Sequence, residues 1–256
     1  AEVIGNGLSG IPQADKVLEA MKSDDKHVIR REIWRWLLMT FFRYPQALLI
    51  IFLIGAIAPS LIARDVRSRA FLLYFSKPIG RLEYIFGKFM TPAIFMAAVT
   101  TLPALALFML AVLVSPDLTV LYSTWDIPLR IIAATVALVV PTCLLALALS
   151  SLTQESRFAN FSWFAVWLLG QGAHFAVRIA TAIRVGDSPF SAEVSNSASV
   201  RGWSAVSLYN CLGEVQAFIF GFEPLSEVWI GMTMLIVISC VSTFILYRRV
   251  SSPISA

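Results

Sequence analysis

The sequence predicts an all-α protein, a polytopic bundle of helices that cross a membrane. Of its 256 residues, 58% are hydrophobic and 14% are charged, and the mean hydropathy is +0.76. A soluble globular domain has about a quarter of its residues charged, so lipid rather than water surrounds much of this chain. Five apolar runs have the roughly 20 residues that a helix needs to cross a bilayer. We therefore expect one transmembrane domain over residues 1–256.

The five predicted spans cover residues 45–63, 89–114, 127–152, 158–183 and 228–247. The third span contains Pro141, which lacks a backbone donor and therefore predicts a kink at that point. Its neighbour Thr142 has a hydroxyl of the kind that satisfies a freed carbonyl inside a membrane.

Residues 1–44 form a segment ahead of the first span. It is hydrophilic at first and becomes mixed over residues 28–44, where arginines and tryptophans alternate with apolar residues. A basic, Trp-bearing stretch is typical of a helix that lies in the membrane interface. An extension of the first span into the headgroup region explains the same residues equally well, and the sequence leaves both interpretations open.

The segment 64–88 lies between the first two spans and is strongly basic. Its six basic residues face only two acidic ones, Asp65 and Glu83. An excess of Lys and Arg in a short loop beside spans marks the cytoplasmic face. We therefore place 64–88 in the cytoplasm and the chain in the cell membrane as a multi-pass protein. The basic residues of segment 1–44, which then lie outside, fit this orientation least well.

This loop divides into a short helix, a turn and the start of a second helix. Residues 66–75 have the length of about two to three helical turns, and Pro78 disfavours helix at Lys77. A new helix is predicted to begin at Arg81 and to run on into the second span. Its N-cap is Gly80, and the Glu83 carboxylate is expected to reach back to the Gly80 amide.

No catalytic or metal site is predicted. The three cysteines form no C-x-x-C pair, and such pairs are the usual sign of a zinc or redox site. Gly80 and Gly87-Lys88 are not a phosphate loop, because six residues separate the glycines and Phe89 replaces the required Ser or Thr. We expect no cofactor on this chain and no ATP hydrolysis by it. The net charge of +4 is modest, and the basic residues lie beside spans where lipid headgroups are found, so nothing indicates a nucleic-acid partner.

Three polar residues lie inside the fourth predicted span. Gln171, His174 and Arg178 are three and four positions apart, so they share one face of a helix. Polar groups inside a span usually face the bundle or a water-filled cavity, which makes these residues candidates for a translocation path. Alternatively, Arg178 simply extends to the outer headgroups.

A motif in the basic loop resembles the signature of the ABC-2 family of transporter permeases. Residues 76–88 read S-K-P-I-G-R-L-E-Y-I-F-G-K, and the family pattern is roughly S-x-P-I-S-R-x-E-Y-x-x-G-K. Residues 149–153 are also similar to the entry into the family's second cytoplasmic loop. The chain departs from the pattern at Asp65, where the family commonly has Glu, and at Gly80, where Ser is usual.

The resemblance implies an all-α fold of the ABC-2, type V exporter kind, with six spans, so that one span would precede Ala1. Segment 1–44 would then be an outer loop, and segment 184–227 would fold as short helices at the outer mouth. Helix 66–75 would couple to a cytoplasmic ABC ATPase subunit, which binds the ATP and Mg²⁺. A second permease copy would complete the transporter, as a homodimer or heterodimer in membrane lipid.

The resemblance also implies which residues couple the chain to the ATPase. Apolar and aromatic anchors would fill a groove, and a polar rim would surround them. The anchors are the aromatic residues Phe71, Tyr74 and Phe75, and the arginines form the rim. The full set of coupling residues is Arg67, Arg69, Phe71, Leu72, Tyr74, Phe75, Lys77, Pro78, Arg81 and Glu83.

Two other functions fit parts of the sequence. One is an intramembrane lipid-modifying enzyme with His174 and Arg178 as its site, which would be active without an ATPase. The other is a membrane anchor or scaffold subunit of a motility or secretion complex, in which 64–88 would contact no ATPase.

Overall fold

The computed structural model describes residues 26–68, 80–114, 124–189, 191, 194–195 and 197–251, and over these ranges the regular structure is helical. The helices are α1 (Lys26–Phe41), α2 (Ala47–Arg67), α3 (Arg81–Leu113), α4 (Asp126–Leu152), α5 (Ser156–Val185), α6 (Ala198–Ser204), α7 (Leu208–Ile219) and α8 (Leu225–Ser251). The prediction of an all-α helical bundle is confirmed.

Helix α4 is the centre of the bundle. It packs against α2, α3, α5, α7 and α8, and its buried residues extend along its length from Ile127 to Ser151. The helix continues through Pro141. The Thr142 hydroxyl donates to the carbonyls of Leu138 and Val139, rather than to the Ala137 carbonyl that the proline leaves free.

Contacts between helix ends define two ends of the bundle. At one end, the hydroxyl of Ser150 lies 3.0 Å from the Ala63 nitrogen, and Arg249 donates to the Ser151 carbonyl. This is the basic-loop end, where the ends of α2, α4 and α8 meet. At the opposite end, Arg31 of α1 is paired with Asp126 at the start of α4. Helix α4 therefore extends from one end of the bundle to the other.

Among the residues that the structure describes, four helices are long and apolar enough to cross a membrane, over Leu48–Asp65, Leu82–Leu113, Asp126–Leu152 and Leu225–Val250. Helix α5, the fourth predicted span, has 30 residues but is less apolar because of polar residues such as Gln171 and His174. It nevertheless connects the two ends, because α4 finishes at the basic-loop end and α7 lies against the start of α4. Along the way the Trp163 indole donates to the Ile51 carbonyl at 2.8 Å.

Helix α1 is joined to α2 by a π-helical segment, Phe42–Gln46, that contains Pro45. The helical backbone runs on from one helix to the other, as the extension interpretation of residues 28–44 expects. Phe42 is fully buried, and its ring contacts that of Phe220. This joint therefore packs the start of α2 against the segment that follows α7.

Candidate functional site

The two helices that flank the basic loop are held together at its base. The Lys88 ammonium lies 2.7 Å from Oδ2 of Asp65, and the Tyr84 hydroxyl donates to the same oxygen at 2.6 Å. The Lys88 ammonium also donates to the Leu61 carbonyl at 3.1 Å. We call Asp65, Tyr84 and Lys88 the loop-base cluster.

The positions of these residues follow from helix geometry. Tyr84 and Lys88 are four residues apart and therefore lie on one face of α3, and Asp65 lies in the last turn of α2. The Asp65 and Lys88 side chains are 13% and 22% exposed, so most of both charges is removed from water. Charge-assisted hydrogen bonds are stronger than neutral ones in such surroundings. The cluster therefore fixes α2 against α3 where the loop leaves the bundle.

The start of α3 confirms the predicted cap. The helix begins at Arg81, and Oε2 of Glu83 accepts a hydrogen bond from the Gly80 amide at 2.9 Å. This contact satisfies one of the amides that have no partner within the first turn of a helix. Of the motif residues, Glu83 therefore orders the beginning of the helix, while Tyr84 and Lys88 bind the neighbouring helix.

The remaining predicted coupling residues are only partly described. Arg67 is exposed at the end of α2, so the helix of the first span extends into the range predicted for the short helix 66–75. Most of the predicted coupling residues fall outside the described residues, namely Arg69, Phe71, Leu72, Tyr74, Phe75, Lys77 and Pro78. Their role stays a prediction.

Gln171, His174 and Arg178 lie together on α5, on the side that contacts the chain between α5 and α7. Gln171 accepts a hydrogen bond from the Ser207 hydroxyl at 2.7 Å. The Arg178 guanidinium donates to the Pro189 carbonyl at 3.1 Å and to the Ser195 hydroxyl at 3.0 Å. His174 is buried between them along the helix. Gln171 and Arg178 therefore attach the chain between α5 and α7 to α5.

A second charged group lies at the opposite end of the bundle. The Arg35 guanidinium donates to the Phe220 carbonyl at 2.8 Å, and Arg130 donates to the Ile219 carbonyl. These carbonyls belong to the end of α7, where backbone acceptors lack helical partners and the helix dipole favours positive charge. The arginines therefore hold the end of α7 between α1 and α4.

Helix α7 also carries a partly buried carboxyl group, that of Glu214. Burial raises the pKa of this carboxyl, a hydrogen bond from Ser204 lowers it in part, and the charge of Glu223 raises it further. One of its oxygens lies so close to Gly231 that an added Cβ there would be 2.6 Å away. Within the described ranges, His, Cys, Asp and Glu residues form no group of three that could hold a metal ion.

The sequence interpretation did not name Asp65, Tyr84 or Lys88 as site residues, although they belong to the motif region. A signal was present in Lys88, because a charge at the start of an apolar run needs a partner when the helix packs. The partner itself depends on which helix is adjacent, and this is decided by the packing.

Most of the chain matches the model of a known protein family. Residues 5–183 match the model of a family described as ABC-2 family transporter protein. The matched range includes the loop-base cluster and the polar face of α5. No curated protein and no solved structure matches the chain.

Proposed function

Because the chain belongs to the ABC-2 family of transporter proteins, we propose that it is the permease subunit of an ATP-driven transporter. A separate ABC ATPase subunit binds the ATP and Mg²⁺ and drives it. The observation that carries this proposal is the loop-base cluster, which joins the two helices on either side of the family motif. The cluster gives a docked ATPase a firm connection to the bundle.

In the proposed coupling, the basic loop contacts the ATPase, and the loop-base cluster connects α2 to α3. Residues 66–75 dock on the ATPase through Phe71 and Phe75, and the basic residues around them form the polar rim. Displacement of the loop then moves α2 and α3 together, because the Asp65 carboxylate is bonded to both Tyr84 and Lys88. Without this connection, the same displacement would be absorbed in the loop.

The proposed orientation places the basic loop in the cytoplasm. Three arginines of the N-terminal segment, which fits this orientation least well, have structural partners. Arg31 is paired with Asp126, Arg35 binds the end of α7, and Arg43 of the π-helical segment lies over the Tyr209 ring. Packing therefore accounts for these three charges, which supports the short basic loop as the signal that sets the orientation. We propose the cell membrane as its location.

The proposed translocation path runs between two permease copies surrounded by lipid. Gln171, His174 and Arg178 would lie toward its outer part, since they bind the segment that leads into α7. Gln171 and Arg178 are hydrogen-bonded to Ser207 and Ser195. Opening the path here therefore requires the chain between α5 and α7 to move relative to α5.

Purification of the tagged chain from its native membrane tests the proposal. We expect a Walker-type ATPase to be recovered with the chain, and its recovery to fall in Asp65→Ala but not in Phe158→Ala, which changes an exposed residue outside the docking segment. A scaffold would instead bring other complex subunits without a nucleotide-binding protein. An intramembrane enzyme would act alone and lose activity in His174→Ala.

A further inference from the structure

Helix α2 contains a proline between its centre and the basic loop. Pro59 has no backbone N–H, so the carbonyl of residue 55, four positions earlier, lacks its usual helical donor. A free carbonyl inside a membrane is unfavourable unless another group satisfies it. The partner of the Gly55 carbonyl is therefore an informative contact.

A side chain from α5 supplies that donor. With its amide oriented so that the nitrogen faces backbone oxygens, Asn160 donates to the Gly55 carbonyl at 3.0 Å and to the Ser156 carbonyl at 3.3 Å. The two helices are very close here, since a Cβ on Gly55 would lie 2.8 Å from the Phe164 ring. Glycine thus permits the approach that brings the Asn160 amide to the carbonyl freed by Pro59.

On the loop side of Pro59, two other helices bind the backbone of α2. The Ser150 hydroxyl of α4 accepts from the amides of Ile62 and Ala63 at 3.2 and 3.0 Å. From α3, the Lys88 ammonium donates to the Leu61 carbonyl. Side chains that bond to a helix backbone in this way are a recognised cause of bends. In α2 they surround a proline on both sides.

We propose that Pro59 is a hinge in α2, and that Asn160 and Ser150 are positioning residues that hold the hinge in the observed setting. The inference rests on the proposed function. The part of α2 beyond the proline, which carries Asp65, turns relative to residues 47–58 when the ATPase displaces the basic loop. During this turn the Ser150 hydroxyl leaves the amides of Ile62 and Ala63, while the Asn160 amide continues to donate to the Gly55 carbonyl.

A double-mutant cycle tests the hinge without any transport measurement. In Pro59→Ala the new N–H can donate to the Gly55 carbonyl, so the Asn160 amide is no longer needed. We expect Asn160→Ala to lower the midpoint of thermal unfolding by about 2–4 °C in the wild-type background, and by less than half of that in the Pro59→Ala background. Equal losses in both backgrounds would show independent sites and overturn the hinge.

A distance measurement follows the shape of α2 directly. Spin labels at the exposed positions Arg64 and Phe158 report on the part beyond the proline, and labels at Phe52 and Leu168 report on the part before it. Because Pro59→Ala restores the backbone donor that the proline lacks, we expect the first distance to change and the second to be kept. If the first distance stays the same, there is no hinge at this position.

Ser150 has a matched control in its neighbour Ser151. Both are buried, but the Ser151 hydroxyl donates to the Ala148 carbonyl of its own helix. In the complex with the ATPase, ATP and Mg²⁺ should shift the distance between labels at Arg64 and Phe158. The measured quantity is the ratio of molecules with the shifted label distance to molecules with the original distance. We expect Ser150→Ala to change this ratio about threefold or more, and Ser151→Ala to leave it near the wild-type value.

The two hypotheses fail in different ways. If no ATPase is recovered with the chain but the cycle of Pro59 and Asn160 is non-additive, the coupling of Asn160 to Pro59 stands, whereas the proposed function and the ATPase-driven turn are wrong. If an ATPase is recovered and the cycle is additive, the proposed function stands and the hinge is wrong. An equal response of Ser150→Ala and Ser151→Ala would remove Ser150 from the mechanism.

Discussion

The Tyr84 hydroxyl donates to Oδ2 of Asp65 at 2.6 Å, across a separation of 19 residues in the sequence. This one bond spans the base of the basic loop. The Lys88 ammonium contacts the same oxygen, so the carboxylate serves two partners from α3 at once. A change at Asp65 therefore affects both of them.

We expect Asp65→Ala to lower the free energy of unfolding by about 2 kcal/mol, because it leaves a largely buried ammonium and hydroxyl without their carboxylate. Asp65→Glu keeps the charge and should retain more than half of the stability. Thermal unfolding in detergent measures both effects. Glu155→Ala is the control, since it removes an exposed acid at the same end, and an equal loss in this control would contradict a specific role for Asp65.

We expect the double variant Phe71→Ala/Phe75→Ala to insert normally and to uncouple ATP hydrolysis from transport, because it removes the apolar anchors of the proposed ATPase contact. Recovery of the ATPase with the chain should fall about tenfold or more. Phe158→Ala, which truncates an exposed phenylalanine near the start of α5, should leave recovery unchanged. Normal coupling in the double variant would refute the proposed contact.

Glu214 predicts a pH dependence of stability. Burial raises its pKa above the ordinary value of 4.5, so the folded protein binds this proton more tightly than the unfolded chain does. Its contribution is fully favourable below pH 4.5 and is lost as the pH rises through the pKa of the folded state. We therefore expect Glu214→Gln to unfold at a higher temperature than wild type near neutral pH, with the difference vanishing in acid. A difference independent of pH would exclude titration of Glu214 as its cause.

Two glycines with a positive φ provide a matched pair. Gly186 and Gly221 have φ values of 78° and 81°, so alanine is strained at both, by about 1 kcal/mol. The space around Gly186 is open, whereas a Cβ on Gly221 would collide with the Arg35 guanidinium. We expect Gly221→Ala to cost about 1 kcal/mol more in thermal unfolding, because it displaces Arg35 from the Phe220 carbonyl. In an Arg35→Ala background this excess should disappear.

Local features of this structure could be predicted from the sequence. The contact of Glu83 with the Gly80 amide joins residues three apart, and the order of spans depends on apolar runs. Contacts such as Ser150 with Ile62, at a separation of 88 residues, depend on which helices become neighbours. The sequence gives the chemical need for a partner in each case, but packing decides which residue meets it.

The polar face of α5 shows the same limit. The spacing of Gln171, His174 and Arg178 predicted a shared face, and the structure places them together. It also assigns Arg178 to Ser195 and Pro189, which spacing alone does not indicate, because these partners lie in the chain beyond the end of the helix. A polar residue inside a span thus shows that a hydrogen-bond partner is needed, but it does not show which group is that partner.

Gly213 in α7 packs directly against the Arg43 guanidinium, in a place where an added Cβ would overlap with the arginine. A residue larger than glycine at 213 therefore displaces the Arg43 guanidinium, which is the cation stacked on Tyr209. Homologues with a larger residue at 213 should accordingly have lost this stacking, through a different residue at 43 or another placement of the arginine.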